Sequence, residues 1–463
     1  TPPPSCLGHR HDPNNHLLAR TGNYSEETLG SMDELIGRGP ETLVPLHRST
    51  ENASSSPLVT PSRTGILDAF ENRSFRFQWP SDGLTIWAFE METLGWYILT
   101  ATDSPALVGL IAALRFAGTI FGPVYGALTD KFNRRRLLIA GRATLAVIAL
   151  AFTTLALTGA LEPWHAFVLA FATGIVRNLD NVVRQALLAD VMPARSLSNA
   201  VALSRSVMDI SRITGALLGG ALMSSLGFGG AYVAVVLLYA GSSVISVGIV
   251  LKTQTARGDD AGWFADLKDG VSYIRHDQAI IGSLVLAFLV NLTLFPTVHG
   301  LMAVVAREVF DKGPNGFAHM QMAYGVGALF GSICLAAYAQ SAAPMRRMMI
   351  GVVLWHVSML IFAAMGWWLA ALATMVVWGM TQSLAMISMS STLLHTSPVA
   401  YRGRVMGMRS LAVYGLPIGL IISGVIAEWL GIRTALAINS IVGLGGTFLT
   451  GVVWRGLWSK GAG

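Results

Sequence analysis

Two carboxylates, Glu90 and Glu92, lie inside the first long apolar segment of this chain. In hydrocarbon an ionised carboxylate is strongly unfavourable unless it is paired, hydrated or protonated. Burial favours the protonated form, so either acid suits a proton carrier. The two side chains point about 200° apart on a helix, and we do not expect both to face one cavity. The alternative is structural, with one or both acids pairing with Arg115 of the next apolar segment.

Charged residues also share one face of two later segments. Arg177, Asp180 and Arg184 recur at helical spacing, which places them on one side of a helix. A second face repeats this spacing with Arg205, Asp209 and Arg212. We expect the two faces to interlock as a ladder of ion pairs that stiffens this part of the chain. For Arg177 and Asp180, which lie deeper in their segment, contact with a substrate or with protons remains an open alternative.

Polar groups interrupt two further apolar segments. Asn291 and His299 flank Pro296, and the proline frees a carbonyl one turn earlier, which predicts a bend that serves as a gate. His299 can titrate near neutral pH or be hydrogen-bonded as a structural residue. Trp378 is deep enough in its segment to stack on a ligand, and Gln382 is a weaker candidate for a cavity wall.

A strongly charged turn separates two apolar segments between Gly126 and Arg136. It contains the acid Asp130 and four bases, Lys131, Arg134, Arg135 and Arg136. Such a run must lie in water at a membrane face, and its arginines resist translocation. Gly126 allows the helix end to approach its neighbour closely. The sequence therefore predicts a tight cytoplasmic turn between two spanning helices.

The composition is that of a membrane protein with many spans. Hydrophobic residues make up 53% of the chain and charged residues only 13%, with a net charge of +6 and a pI near 9.5, too few for the surface of a soluble protein. The bases lie in short interhelical loops, which favours a membrane orientation signal over nucleic-acid binding. Cys6 and Cys334 have no metal spacing, so neither a disulfide nor a metal site is expected. The absence of a nucleotide-binding loop argues against ATP as energy source, and no cofactor is expected.

Twelve apolar spans are predicted, at about 82–101, 105–128, 136–158, 164–187, 203–226, 229–251, 279–303, 316–340, 346–364, 367–391, 406–430 and 432–455. With the N-terminus inside, thirteen lysines and arginines lie in inner loops and three in outer loops. We expect four regions: a disordered cytoplasmic tail at 1–75 that ends in a surface helix, a six-helix bundle at 76–251, a cytoplasmic linker with an interfacial helix at 252–278, and a second six-helix bundle at 279–463. Both termini are then cytoplasmic.

The two bundles repeat in sequence. A shift of 204 residues carries Arg205 onto Arg409, and the same shift aligns three glycine pairs, Gly215 with Gly419, Gly220 with Gly424, and Gly227 with Gly431. Glycines at such intervals let spanning helices approach closely. Two related halves around a central cavity imply alternating access.

The turn from Gly126 to Arg136 resembles the signature of the major facilitator superfamily, Gly-x-Leu-Ala-Asp-Arg-x-Gly-Arg-Arg-x, with Thr129 and Asn133 as mild departures. The segment Val183 to Pro193, with Pro296 to Arg307 and Arg402 to Gly407, is similar to the branch that contains bacterial enterobactin exporters. The branch usually has proline before its Arg-Gln-Ala segment, where this chain has Asn181 and Val182. Its first-span acid also tends to lie about three residues earlier, at the level of Trp87.

The resemblance implies an all-α membrane protein of twelve helices in two pseudo-symmetric bundles, and a gating role for the charged turn. We expect Asp130 to lie near Arg404 and Arg409 at the start of the eleventh span and to lock the halves together on the cytoplasmic side.

The expected function is proton-coupled export of a small amphipathic or siderophore-like molecule across a bacterial inner membrane, by a monomer whose partners are its substrate, protons and lipid. One alternative is a lipid or lysolipid flippase. The other is a sensor or assembly protein without transport, although an anchor has no need of intramembrane charges.

Overall fold

The computed structural model describes residues 66–251, 277–338, 344–398 and 401–454, all within one unit that extends from residue 63 to 463. The described residues are almost entirely helical and include no strand. The expected tail before residue 66 and most of the expected linker, 252–276, lie outside the described residues.

The first half contains six spans. Span 1 consists of two helices, Arg73–Trp87 and Glu90–Thr102, and span 2 bends between Pro105–Ala117 and Gly122–Lys131. Spans 3 and 4 are Arg134–Leu157 and Pro163–Val191. Spans 5 and 6 lie within Ala194–Ser246 and are separated by a break at Gly227.

The second half has the same order. Span 7 begins as Gln278–Thr293 and continues through π-helical turns at Thr297–Leu301 and Val305–Val309. Spans 8, 9 and 10 are Pro314–Tyr338, Pro344–Ala364 and Trp368–Thr396. Span 11 combines Arg402–Leu411 with Gly415–Leu430, and span 12 is Ile432–Val453. The turns directly after Pro296 are irregular, and the bend expected there stays a prediction.

Length and hydropathy support membrane crossing. In the described part of the chain, eight helices are long and apolar enough to cross a bilayer, or nine if the bent pair of span 2 is counted as one. One of the eight, Asn199–Ser246, contains both span 5 and span 6. Spans 1 and 8 complete the twelve. The fold is therefore an all-α membrane fold of two six-helix bundles.

The start of span 1 differs from the expectation. Instead of a surface helix at the end of the 1–75 tail and a span from about 82, a 3-10 turn ends at Glu71 and the spanning helix begins at Arg73. The side chain of Asn72 caps this helix by accepting hydrogen bonds from the backbone amides of Ser74 and Phe75, which satisfies free donors at the helix start. The first turns are polar but buried against other spans, so hydropathy alone placed the boundary too late.

The 204-residue repeat is confirmed at its glycines. Gly227 and Gly431 both have positive φ, 69° and 82°, and connect spans 5 to 6 and 11 to 12. Gly215 of span 5 lies against the backbone of span 1 at Trp87, and its counterpart Gly419 of span 11 lies against span 7 at Leu292. Equivalent glycines therefore make equivalent helix contacts in the two halves.

The halves meet along two helix pairs. Gly220 of span 5 faces Pro314 and Ala318 of span 8, while Gly424 of span 11 faces Ala106 and Gly109 of span 2. A Cβ at either glycine would come within 3.4 Å of backbone atoms of the other half. Because small residues let the backbones touch, these pairs bring the halves together and leave the remaining faces around a central space.

Candidate functional site

A cavity of about 920 Å³ lies between the two halves. Its wall in the first half includes Arg115, Arg177 and Arg212, and its wall in the second half includes His299 and Gln382. The lining continues to Arg184 near the end of span 4, and to Ser390 and Arg409 in the second half. These residues lie toward the face that carries the Asp130 turn, which we call the basic face. The other face is called the opposite face.

Glu90 lies directly behind this wall, at the break in span 1. Its side chain is 2% exposed and accepts a hydrogen bond from the Tyr239 hydroxyl, with Oε2 and Oη 2.6 Å apart. The hydroxyl of Tyr239 in turn accepts a hydrogen bond from Arg177 at 2.8 Å. Arg115 and Arg177 each have one guanidinium nitrogen 3.9 Å from Glu90 Oε2. The structure thus brings together the predicted residues Glu90, Arg115 and Arg177, each near the middle of its span.

A second buried ionic cluster was missed by the sequence analysis. Arg142 of span 3 has no exposed surface and bonds two carboxylates, Asp180 through Nε at 2.9 Å and Asp82 through Nη2 at 2.5 Å. Its Nη1 donates to the hydroxyls of Ser81 and Ser246, each at 2.8 Å. Asp82 escaped notice because it was placed at the edge of the first span. Arg142 was detectable as a lone charge in an apolar segment.

This cluster corrects the expected ladder between spans 4 and 5. Asp180 pairs with Arg142 of span 3 and not with an arginine of span 5. Arg184 donates to the neighbouring Asn181 at 2.7 Å. Arg205 and Arg212 of span 5 line the cavity, and the side chain of Asp209 lies outside the described set. Helical spacing places residues on one face of a span but does not show which other span that face meets.

Some of the remaining predicted cavity residues line the cavity and others do not. His299 lines the cavity, where it stacks on Phe295 with ring centroids 5.5 Å apart. Asn291 instead donates to the carbonyl of Ala287 within its own helix and is not part of the wall. Trp378 is fully buried in the second half, packed against Phe362 and Tyr324, and does not reach the cavity. Glu92 lies in the helix of span 1, and its side chain lies outside the described set.

At the basic face the expected bond between Asp130 and Arg409 is not formed, while the side chain of Arg404 lies outside the described set. Asp130 accepts a hydrogen bond from Arg134 of its own turn at 3.0 Å, and Arg134 also binds Asp190 at the end of span 4 at 2.7 Å. Arg409 donates to Ser390 at 2.7 Å within the second half. The prediction that Asp130 binds Arg409 is wrong for this conformation, because each partner bonds within its own half.

Three further members of the predicted gate have contacts within the first half, and their gating role stays a prediction. Arg135 donates to the carbonyl of Val247, and the backbone amide of Arg136 bonds the cap Asn133. A Cβ at Gly126 would meet no atom within 4 Å, so no close helix approach requires this glycine. The side chain of Arg404 lies outside the described residues.

The opposite face carries several bonds that join the halves, and nearer mid-membrane the Tyr414 hydroxyl of span 11 also donates to the carbonyl of Thr119 of span 2 at 3.0 Å. Arg307 of span 7 binds Asp103 and donates to the carbonyl of Leu99 at 2.6 Å, both at the end of span 1. Glu428 of span 11 accepts hydrogen bonds from the hydroxyl of Ser104 and, at 3.0 Å, from the amide of Ala106 at the start of span 2. The structure is therefore closed on the opposite face.

The arrangement suits binding and passage of a molecule rather than bond chemistry. The cavity combines guanidinium groups with aromatic and aliphatic walls, and it lies between two halves that are joined at one face. Among the described residues, no group of three or more histidine, cysteine, aspartate or glutamate side chains could hold a metal ion.

Known proteins are similar to this chain in sequence and in fold. The profile of the Major Facilitator Superfamily matches residues 87–417. Macrolide efflux protein A of Streptococcus pyogenes is 21% identical over 377 residues, which cover 77% of this chain and 91% of that protein. The staphyloferrin A transporter of Staphylococcus aureus (strain NCTC 8325 / PS 47) is 21% identical over 252 residues, 52% of this chain and 61% of that protein.

Solved structures give the same result at the level of the fold. A bacterial homologue of the human lysosomal transporter Spinster, inward-facing and unoccupied, superposes with a TM-score of 0.66 at 12% identity, covering 84% of this chain and 98% of that one. The nucleoside transporter NupG gives a TM-score of 0.67 at 14% identity, with the same coverage. With the family profile spanning most of the twelve helices, the chain belongs to the Major Facilitator Superfamily and is a membrane transporter, not an enzyme.

Proposed function

We propose that this transporter exports a small amphipathic molecule, including siderophore-like compounds, by alternating access coupled to proton movement. The basic face and both termini lie in the cytoplasm of a bacterium, and the protein works as a monomer in the inner membrane. The relatives named for macrolide efflux and for staphyloferrin A support this cargo class. A cavity of about 920 Å³ with polar and apolar walls fits a drug-sized molecule.

The observation that carries the proposal is the placement of Glu90. It is a buried carboxylate at mid-span, held between one tyrosine hydroxyl and two arginines that line the cavity. In the ionised form it attracts both guanidinium groups, and on protonation it releases them. Because Arg115 and Arg177 belong to spans 2 and 4, a proton at Glu90 changes the attraction among three spans of the first half. This links the proton to helix position, as coupling requires.

Proton flux in liposomes tests the proposal. Purified protein is reconstituted with a pH-sensitive dye inside, and a macrolide, staphyloferrin A or a lysolipid is supplied as a gradient. We expect cargo-dependent proton movement in the direction opposite to the cargo. Glu90→Gln should abolish it, while Glu71→Gln, which changes an exposed acid before span 1, should leave it intact.

Exchange of labelled for unlabelled cargo without a proton gradient serves as the folding control, since it needs alternating access but no net proton transfer. Glu90→Gln that exchanges cargo and moves no proton supports the proposal. Equal proton flux in wild type and Glu90→Gln refutes it. Movement of the lysolipid alone would indicate a flippase, and movement of no compound would favour the sensor alternative.

A further inference from the structure

The cavity wall carries a large excess of positive charge. Six arginines line it: Arg115, Arg177, Arg184, Arg205, Arg212 and Arg409. The only acids of the described lining are Asp82 and Asp180, and both are bound by Arg142, which lies behind the wall. The lining itself therefore has a formal excess of four positive charges.

The charged residues directly behind the wall do not remove this excess. Glu90 subtracts one charge and Arg142 adds one, so the formal total stays at plus four. Adding Asp209, which follows Arg205 by one helical turn and whose side chain is outside the described set, still leaves plus three. Arg115 and Arg177 lie at mid-span and share the acid Glu90. Because positive charge at this depth is unfavourable without enough counter-charge, the cavity favours an anionic occupant.

One of these arginines has unused hydrogen-bond donors. Arg115 is 7% exposed, and its Nε and Nη1 have no hydrogen-bond partner in the structure. Glu90 approaches only Nη2, at 3.9 Å. A buried guanidinium normally satisfies its donors, because an unmet donor in a dry site is destabilising. The donors of Arg115 therefore mark a place for an acceptor that the chain does not supply.

Groups from the second half line the same cavity as Arg115. His299 meets Phe116, the residue after Arg115, with ring centroids 5.7 Å apart, and Tyr324 lines the same cavity. The hydroxyl of Tyr324 is also buried without a partner. An anionic group at Arg115 would thus lie in the cavity between the halves, close to the second half.

The surroundings of this point are apolar. Phe116 meets His299 edge-on with ring centroids 5.7 Å apart, and Phe295 stacks on the other side of the imidazole. Phe89 and Val298 continue the apolar wall. A ligand that fills this space needs an acidic group at one end and a hydrophobic or aromatic body at the other.

We propose that the cargo is an anionic amphiphile whose carboxylate, sulfonate or phosphate group binds Arg115, with Arg212 and Tyr324 completing the site from either side. This deepens the proposed function, on which it rests, by naming the charge of the cargo. When Glu90 is ionised, it and the two arginines beside it carry a net single positive charge, and one monoanionic group neutralises them.

Equilibrium dialysis with matched probes tests the charge preference. The protein is placed in nanodiscs of phosphatidylcholine and titrated with 2-naphthoate, 2-naphthalenemethanol and 2-naphthylmethylammonium, which share one ring system and differ in charge. We expect 2-naphthoate to bind at least tenfold more tightly than the other two. Empty nanodiscs measure partition into lipid.

Substitutions locate the binding group. Arg115→Met should weaken 2-naphthoate binding at least tenfold, because it removes charge-assisted hydrogen bonds in a buried site. Arg212→Met, on an exposed part of the wall, is a second variant that leaves the Glu90 cluster in place, and it should weaken binding several-fold. Arg73→Met makes the same change at the exposed start of span 1 and should have no effect. Size-exclusion profiles identify any variant that does not fold.

Two further probes distinguish the source of the anion. Tight binding of 2-naphthyl phosphate indicates a water-soluble cargo, and binding of lysophosphatidic acid alone indicates a lipid from the bilayer; either result supports an anionic site. Equal affinity for the three naphthalene probes overturns the proposal, as does unchanged 2-naphthoate binding in both cavity variants. Binding needs no gradient, so an anion preference in a protein that moves no proton would refute the coupling and leave the anionic site standing.

Discussion

Removing Arg142 should destabilise the first half more than removing any exposed arginine. Its guanidinium holds Asp82 and Asp180 and bonds two serine hydroxyls at a site without solvent. Arg142→Met strands two carboxylates beside each other. Breaking a buried ion pair by removal of one partner lowers the free energy of unfolding by about 3–5 kcal/mol.

This energy can be converted into a melting temperature. An unfolding entropy of about 2.1 cal/mol/K per residue, for roughly 400 residues that unfold together, gives on the order of 0.8 kcal/mol/K. The expected loss is then about 4–6 °C. Tryptophan fluorescence of detergent-solubilised protein during heating measures it. Arg73→Met, a substitution at an exposed position, should lower the melting temperature by less than about 1 °C.

A triple variant isolates the role of charge. Arg142→Met combined with Asp82→Asn and Asp180→Asn removes the stranded carboxylates, and it should recover at least half of the lost melting temperature, because buried ion pairs can often be replaced by neutral groups. If Arg142→Met has the same melting temperature as the Arg73→Met control, the buried network does not stabilise the fold. If the triple variant has the same melting temperature as Arg142→Met, stranded charge is not the cause of the lower melting temperature.

Two further predictions concern the turns and the opposite face. Gly431 has φ 82° and ψ 153°, a region open almost only to glycine, so Gly431→Ala should lower the free energy of unfolding by about 1–3 kcal/mol. Gly445→Ala, in open space on span 12, should not lower it. Equal melting temperatures of the two variants would contradict this. Glu428→Gln weakens the exposed hydrogen bond that Glu428 accepts from the first half, which contributes up to about 1 kcal/mol. The population of the state that is open at the opposite face should therefore rise by at most about fivefold. Spin labels at the exposed Leu226 and Trp429, in a background without native cysteines, should then show a longer distance component, and an unchanged distribution would count against the lock.

Much of the fold follows from local properties of the sequence. Hydropathy over about 20 residues predicts spans because a helix satisfies its own backbone in lipid. The glycine repeat predicted equivalent contacts, as Gly215 and Gly419 show, whereas Gly227 and Gly431 share a positive φ at the breaks between spans. Hydropathy failed where polar residues are buried by other spans, as at Gln78 and Asp82 in the first turns of span 1.

The candidate site was predictable only in part. A charge inside an apolar segment is costly, so Glu90, Arg115 and Arg177 stood out as functional candidates, and the structure brings them together. The same rule applies to Arg142, but only the tertiary structure shows that it pairs with Asp82 and Asp180. Pairing depends on which faces of different spans meet, and helical spacing within one span contains no such information.

The sequence by itself determined the membrane class, the twelve spans, the two related halves and the residues that lipid cannot tolerate unpaired, because each depends on the local chemistry of a helix in hydrocarbon. Only the tertiary structure decided the rest. It paired Asp180 with Arg142 instead of an arginine of span 5, buried Trp378 away from the cavity, and placed the ion pair of Arg307 with Asp103 between the halves at the opposite face. These outcomes depend on helix rotation and on the conformation adopted, which arise from packing among distant spans.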